Sequence, residues 1–532
     1  MTRHLLLILF LIPSFVACST TPPQQSADIL VYGGTPGGIT AAIAASRGGA
    51  SVILVESTQH LGGMSTSGLN RDEAEHMARD ETFGGLAVLF FDTAAKRSGA
   101  NLKRKARVWH SGIAEQVFLE MLNEAGVEIV YGQAVLSVEK DQARIVSIKT
   151  TSASFSARVF IDASYEGDLL ARAGVSYVTG RESKDEFNES LAGVVYPDEP
   201  IAVSPYDANG NLLPGVMAGS PPKPGSASRH PTPYNIRLNL TTGKENRVEI
   251  GEPTNYDPTK YELLARCIQA GLFTTAGKII GRYGMPGGKV EFNNRQVSVV
   301  SMSIPGEQTP WAEASYEQRE KIHQVYRDYT HGLLWFLKTD TRVPQAMRED
   351  MARYALCKDE WVDNDHWPWQ LYVREARRMR GAYLLTQADI TTQREKEDAI
   401  HLGSHFIDSH QATRHATKEG GFINEGRLWQ KGQIYQVPYR AITPKRAECD
   451  NLLVPVCVSS THVAFCSIRV EASWMMLGEV AGIAATMATN GNLPIQSISV
   501  PLLQQKLLSS EIPIKLPNAD SMDNEKRREN NE

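Results

Sequence analysis

Cysteine is scarce in this sequence. Six occur in 532 residues, at 18, 267, 357, 449, 457 and 466, and no two form a C-x-x-C pair. That excludes a disulfide scaffold and a structural zinc ribbon. Charge of one sign is also lacking: Lys+Arg 55 against Asp+Glu 60 leaves a formal charge of −5. No general electrostatic footprint for nucleic acid follows from that balance. Long apolar runs are absent beyond the first residues, which excludes a polytopic membrane protein. There is no internal repeat. What remains is ordinary globular usage, 42% hydrophobic and 22% charged. A chain of this length can bury a large core divided over about two to four domains.

The two ends differ from the rest. Arg3 and His4 precede an apolar stretch from Leu5 to Ala17, interrupted by Pro13 and Ser14. It is short for a membrane span and has the layout of an export signal. Phe15-Val16-Ala17-Cys18 is similar to a bacterial lipobox, although Phe15 stands where Leu is usual. Cys18 is then the expected lipidated N-terminus, with a polar tether after it. At the other end, Leu516 to Glu532 is polar and charged, as a disordered tail is.

Ala27 to Ser57 reads ADILVYGGTPGGITAAIAASRGGASVILVES. A short apolar strand runs into a glycine-rich turn, then an alanine-rich helix, then a second strand. Such a turn lets backbone approach a pyrophosphate, which the helix N-terminus binds through amides and dipole. Gly33, Gly34, Thr35, Pro36, Gly37 and Gly38 are the expected cradle, with Thr35 where the motif normally has its middle glycine. Glu56 closes the second strand, where an acid accepts hydrogen bonds from ribose hydroxyls. A second glycine-rich loop follows at once, HLGGMSTSG from His60 to Gly68. An NAD-type unit has no need of it. Gly62, Gly63, Met64 and Ser65 are expected to wrap the rest of a longer cofactor. The segments VEIVYG, AVLSVEKD, ARIVSIKTT and SFSARVF then predict a strand meander, ending in IDAS at Ala163-Ser164.

With those blocks in view, the chain resembles the bacterial FAD-dependent oxidoreductases of the glutathione-reductase-like superfamily. The narrower likeness is to a poorly characterised exported group with VYGGTPGGI, HLGGMSTSGL, FIDASYEGDL, HWPWQLYVREARRM, LGSHFIDSH, VPYRAITPK and THVAFCSIRVEASWMMLGEVAGIAA. The resemblance covers about Ala27 to Thr489. It implies an α/β fold, a Rossmann-like FAD-binding domain with a large inserted mixed α/β cap or substrate domain, and FAD as cofactor. Val135 and Ala163 at the two ends of the meander, and Gly478 on a helix from Met475 to Met487, join the expected cofactor contacts. That helix would present its N-terminus to the flavin O2/N1 edge, and His462 and Arg469 would face the isoalloxazine. Exported flavoproteins that fold first usually carry twin arginines. A single Arg3 implies cofactor loading after translocation.

The expected division is a signal and lipobox at 1–18, a linker at 19–26, the FAD-binding domain at 27–180 and 436–490, the insert at 181–435, a C-terminal segment at 491–515 and a tail at 516–532. No second dinucleotide fingerprint occurs, so the flavin is expected to meet its substrate directly. In HWPWQLY, Trp367, Trp369 and Tyr372 stand beside His366, and Arg374, Glu375, Arg377 and Arg378 are expected on a helix. Aromatics suit a sugar ring and arginines a carboxylate, but a structural corner with ion pairs explains them as well. His405 and His410 flank Asp408. On a strand they would face opposite ways, so no metal site is expected, and either is a candidate base.

These residues together lead to an exported, lipid-anchored cell-envelope enzyme. It would move a hydride from a small polar substrate, such as a sugar or polyol alcohol, to flavin N5. His462, His410 or His405 would act as base. No nucleic-acid partner is expected, the membrane is met through the lipid anchor only, and the electron acceptor is open. Two other readings stand beside it: a non-redox flavoenzyme (isomerase or lyase), and a surface carbohydrate-binding lipoprotein on an FAD fold.

Overall fold

The computed structural model describes residues 24–77, 82–102 and 106–517. The expected export signal with Cys18, the start of the linker and the tail beyond Pro517 lie outside the described residues. The central sheet contains β1 (Gln24–Tyr32), β2 (Val52–Val55), β3 (Glu128–Val130), β4 (Val135–Asp141), β5 (Arg144–Thr150), β6 (Ser154–Asp162) and β7 (Leu452–Leu453). The order is β3-β2-β1-β6-β5-β4, with β7 also on β6. β1, β2, β3, β6 and β7 pair in parallel, and β4 and β5 continue the sheet antiparallel from the start of β6. β2 is buried throughout and β1 in its last four residues, which is why both read as continuous apolar runs.

β1 begins earlier than the sequence implies. Gln24 to Ser26 fall in the span expected to be linker, yet with Ala27 they pair with Ser154 to Ala157. Polar residues enter the strand there because a partner strand supplies their backbone hydrogen bonds.

Helix α1 (Pro36–Arg47) starts with Pro at its first position and is capped by Thr35. After β6, the short helix α2 (Asp168–Arg172) follows. The inserted region builds an antiparallel sheet in the order Ala355–Leu356, Leu238–Thr241, Lys289–Asn294, Ile280–Gly284. It also contains the long helix α3 (Tyr316–Thr339), opened by a Ser315/Gln318 capping box. Residues 371–377 are irregular rather than helical. The helix expected for Arg374 to Arg378 is therefore absent. In its place is an extended segment whose buried side chains, Arg374, Glu375, Arg377 and Arg378, point to several different partners.

Insert and sheet are pinned together at Asp168. Its carboxylate accepts two hydrogen bonds from Arg319 of α3, at 2.6 and 2.9 Å, and one from Arg377 at 3.0 Å. Burial would raise its pKa, but Arg319 and then Arg377 and Arg172 outweigh burial and hold it down at about 2. A lowered carboxylate contributes stability above its unfolded pKa of about 3.8 and loses it as pH falls toward 2. The contribution is about 2 kcal/mol. Asp168→Asn is expected to flatten the acid side of the stability–pH curve between about pH 4 and 2, followed by denaturant midpoints at each pH. At pH 7 it leaves two buried guanidinium groups short of an acid, which costs about 3–5 kcal/mol.

The chain returns through helices α4 (His462–Ile468) and α5 (Glu471–Gly491). α5 packs on α1 at backbone contact. A Cβ on Gly478 would lie 1.9 Å from the carbonyl oxygen of Gly37, and one on Gly482 would lie 2.2 Å from that of Ala41. Gly478 thus joins two helices behind the cofactor turn, a packing role that differs from the cofactor contact expected of it. The helix also starts at Glu471 rather than Met475, so Glu471 and not Gly478 stands at its N-terminus. Among the described residues no helix is long and apolar enough to cross a membrane.

Candidate active site: a dinucleotide cradle and a buried polar centre

The turn after β1 is built by close approach. Gly33 has φ +102°, and a Cβ on it would lie 2.6 Å from the amide nitrogen of Ser164. A Cβ on Gly38 would lie 1.9 Å from the carbonyl oxygen of Gly33. Thr35 replaces the usual middle glycine without spoiling the turn. Its hydroxyl donates to the carbonyl of Ala163 at 2.7 Å and accepts from the amide of Gly38 at 3.2 Å. Pro36 has no amide proton and Thr35 takes the amides of Gly38 and Ile39, so the Gly37 amide is the one left without an acceptor among the described residues. Glu56 accepts from the Gly34 amide at 2.6 Å and from the Thr58 amide at 2.7 Å. It lines a cleft of about 270 Å3 with Tyr32, Thr35, Tyr165, Tyr316 and Trp369. Ala134 lines this cleft, whereas Val135 does not. The Val135 amide donates to the Tyr32 hydroxyl at 3.1 Å, and its carbonyl accepts from Tyr316 at 3.3 Å. Two tyrosines thus hold the backbone of Val135, and its neighbour Ala134 is the one that reaches the cleft.

The second glycine loop closes on the same place. Gly62 and Gly63 both have positive φ, and a Cβ on Gly63 would lie 2.3 Å from the Tyr165 hydroxyl. That hydroxyl accepts from the Met64 amide at 2.9 Å and donates to Glu471. Three sequence blocks about 100 and 300 residues apart thus meet through Met64, Tyr165 and Glu471. Burial, helped by Glu73, raises the Glu471 carboxyl to about 8, so it is neutral at pH 7. Its Oε2 and the Ser65 hydroxyl are buried polar atoms with no partner among the described residues. A glycine cradle at a helix N-terminus, a strand-end acid and these orphaned atoms fit FAD. Thr35, Gly37 and Gly38 would hold the pyrophosphate, Glu56 the ribose, and Ser65 and Glu471 groups farther along the cofactor.

Beyond α5's N-terminus lies a buried polar centre. Arg237 pairs with Glu291 and reaches Glu73 at 3.4 Å, and Arg71 also reaches Glu291, at 3.5 Å. Arg469, two residues before Glu471, donates to the Asp408 carboxylate at 3.0 Å and to its carbonyl at 2.7 Å. Arg237 and Arg374 both stack on the Tyr372 ring, 4.7 and 4.5 Å from its centre. Glu73 acts electrostatically on Glu471, Arg469 and His405, which ties the centre to the cofactor end.

The three candidate histidines are separated by their surroundings. His462 Nδ1 lies 2.8 Å from the Glu375 carboxylate, and its Nε2 lies 3.5 Å from Cys466 Sγ. Burial disfavours its charge, but Cys466 and Glu375 outweigh burial and raise its pKa to about 10. Both ring nitrogens are thus engaged within the protein, which does not fit the base role expected of His462. It belongs instead to a buried ion-pair network with Glu375, Arg378 and Glu182. His410 accepts at Nδ1 from the Asn294 amide at 2.6 Å. That amide's orientation is fixed by the Ser303 amide, which donates to its oxygen at 2.9 Å. The ring proton therefore sits on Nε2, which faces Asp408 at 3.6 Å. Burial and the charges of Arg374 and Arg469 push the pKa of His410 far down. His405 has the opposite tautomer. Its Nδ1 donates to the Phe406 carbonyl at 2.7 Å, leaving the lone pair on Nε2. Burial lowers its pKa, against Glu73 and Asp408, so it is neutral at pH 7.

The remaining features are negative or were legible only in outline. No group of His, Cys, Asp and Glu suited to a metal occurs among the described residues. Cys457 and Cys466, a conceivable redox pair by spacing, are both free and buried. Trp369 stacks on His60 at 3.4 Å and lines the cofactor cleft. The motif that holds it also supplies Tyr372. Tyr165 and Glu471 were inside quoted motifs but carried no signal of their own, because their role exists only where those motifs meet.

Fold and site together define a dinucleotide-binding redox protein. The sequence pattern of the family described as FAD dependent oxidoreductase matches residues 28–507. The chain belongs to this family of enzymes, and its cofactor is FAD. Among curated proteins, 4-oxocyclohexanecarboxylate 2-dehydrogenase of Sinomonas cyclohexanicum is 34% identical over 113 residues, 20% of this chain. The match spans about a fifth of that relative's length, 19%. Similar solved structures include glycine oxidase from Geobacillus kaustophilus, with 15% identity, 29% of this chain and 59% of that one covered, and TM-score 0.22. T. acidophilum thioredoxin reductase has 19% identity, 26% and 34% coverage, and TM-score 0.16.

Proposed function

We propose that the chain oxidises a hydroxyl-bearing carbon of a small polar substrate, a sugar or polyol alcohol or a derivative of one, with His405 taking the hydroxyl proton. Bound FAD supplies the two-electron acceptor for the substrate C–H bond. The observation that carries the reading is the tautomer of His405. It is the one of the three candidate histidines that is neutral and keeps an Nε2 lone pair. His410, as an Nε2–H donor, positions a substrate oxygen, and Arg469 fixes Asp408 beside it. Burial of this centre removes water that would compete for those hydrogen bonds. The sequence at Phe15 to Cys18 supports a lipid-anchored place at the cell envelope, which membrane fractionation of the expressed full chain checks.

The test is the visible spectrum of the purified FAD-loaded protein during anaerobic mixing with a panel of sugars, polyols and sugar acids. The flavin bands are expected to bleach with at least one hydroxyl compound. Bands that persist with every compound, while the cofactor stays bound, would overturn the reading.

A further inference from the structure

Among the described residues, the arginines of the polar centre are not equally matched by acids. Arg71 and Arg237 share Glu291 and Glu73, and Arg469 is matched by Asp408. Arg374 has no carboxylate within ion-pair reach among the described residues. Its Nη1 donates to the carbonyl of Pro233 at 2.7 Å, and its guanidinium lies on the Tyr372 ring. The side chain is almost wholly buried, at 2% exposure. Arg374 is therefore the arginine of this centre that lacks a carboxylate among the described residues.

Burying an unmatched guanidinium costs several kcal/mol. One carbonyl and one aromatic face offset only part of that. A second observation points to the same place. Nε of Arg469 is buried and has no partner among the described residues, and Arg469 and Arg374 lie close enough to act on each other electrostatically. A guanidinium without a carboxylate, next to one with an orphaned Nε, is what recognition of an anion requires. A planar fork matches a carboxylate through paired N–H donors. The one guanidinium without a carboxylate among the described residues matches a monoanion, whereas a phosphate monoester would bring nearly two negative charges.

We infer that the substrate carries a carboxylate, held by Arg374 with Arg469 beside it, which makes it a hydroxy acid of the sugar-acid kind. This rests on the oxidation proposed above and narrows its substrate.

Binding is measured without turnover, through perturbation of the flavin bands and the melting temperature of the FAD-loaded protein. The probes are glycolate, glycerate and gluconate, their uncharged counterparts ethylene glycol, glycerol and glucitol, and inorganic phosphate. At least one carboxylate is expected to bind saturably, with its alcohol counterpart at least about 30-fold weaker. Arg374→Gln should weaken that carboxylate by about 30-fold or more, and Arg374→Lys should recover part of the loss. Flavin content should match the wild type in both. The comparison of charged and uncharged probes on the unaltered protein stands even if a variant folds poorly. The inference is overturned if no carboxylate binds, if alcohols bind as well, if phosphate binds in their place, or if folded Arg374→Gln retains full affinity. A carboxylate that binds but never bleaches the flavin upholds this inference and counts against oxidation. An alcohol that bleaches it, with carboxylates inert, does the reverse.

Discussion

Replacing His405 with glutamine is expected to slow flavin reduction by saturating substrate about 10²- to 10⁴-fold, the usual worth of a positioned general base. The FAD-to-protein ratio should not change, because His405 lies in the polar centre and not in the glycine cradle. The assay is anaerobic stopped-flow bleaching with the panel compound that reduces the wild type fastest. The pH profile separates a base from a merely structural residue. His405 is held below the ordinary imidazole pKa of about 6.5 by burial. Glu73 and Asp408 act against that, and Arg469 and His76 act with it. Wild-type reduction should therefore rise with pH along a limb below about pH 6.5 and then level off. That limb should vanish in His405→Gln. His462→Gln should instead damage folding, since it strips Glu375 of one of its buried cationic partners. If His405→Gln reduces at the wild-type rate, or keeps the limb, the base lies elsewhere.

Replacing Gly38 with alanine is expected to abolish FAD binding and to cost more than about 3 kcal/mol of stability. The added methyl would fall 1.9 Å from the carbonyl oxygen of Gly33 and 3.1 Å from the Ala163 side chain. Neither can give way. Gly33 is wedged against Ser164, and Ala163 is fixed to Thr35 and Tyr32 by hydrogen bonds. Gly49 provides the comparison. It has φ +91° but nothing within 4 Å of a Cβ. Gly49→Ala should cost only the backbone preference, about 1–2 kcal/mol, and keep its FAD. Melting temperature and the ratio of flavin to protein absorbance are read for both. Equal behaviour of the two variants would show that the turn tolerates a side chain and that the cradle has been misplaced.

Which parts were legible follows from how local each one is. The cofactor turn, from Gly33 to Gly38 with Glu56, lies within one β-α-β unit. Its chemistry is set by neighbours in the chain, so its composition is its signature. The substitution at Thr35 looked like a weakness and proved to be a helix cap, something only the position of the Ala163 carbonyl could reveal. The segment from Arg374 to Arg378 misled because charges at helical spacing look like a solvated helix face. Here each charge is buried against a separate partner: Pro233, His462, Asp168 and Glu182.

By itself, then, the sequence determined the FAD cradle, the family and the presence of three histidines and several arginines downstream. Tertiary structure alone decided what those residues do. A histidine's charge and tautomer depend on burial and on its nearest carboxylate, carbonyl or amide. For His462, His410 and His405 those partners are Glu375, Asn294 and the Phe406 carbonyl. Two of the three come from segments 87 and 116 residues away. That Arg374 meets a carbonyl and an aromatic face, with no carboxylate among the described residues, appears only once the chain has folded.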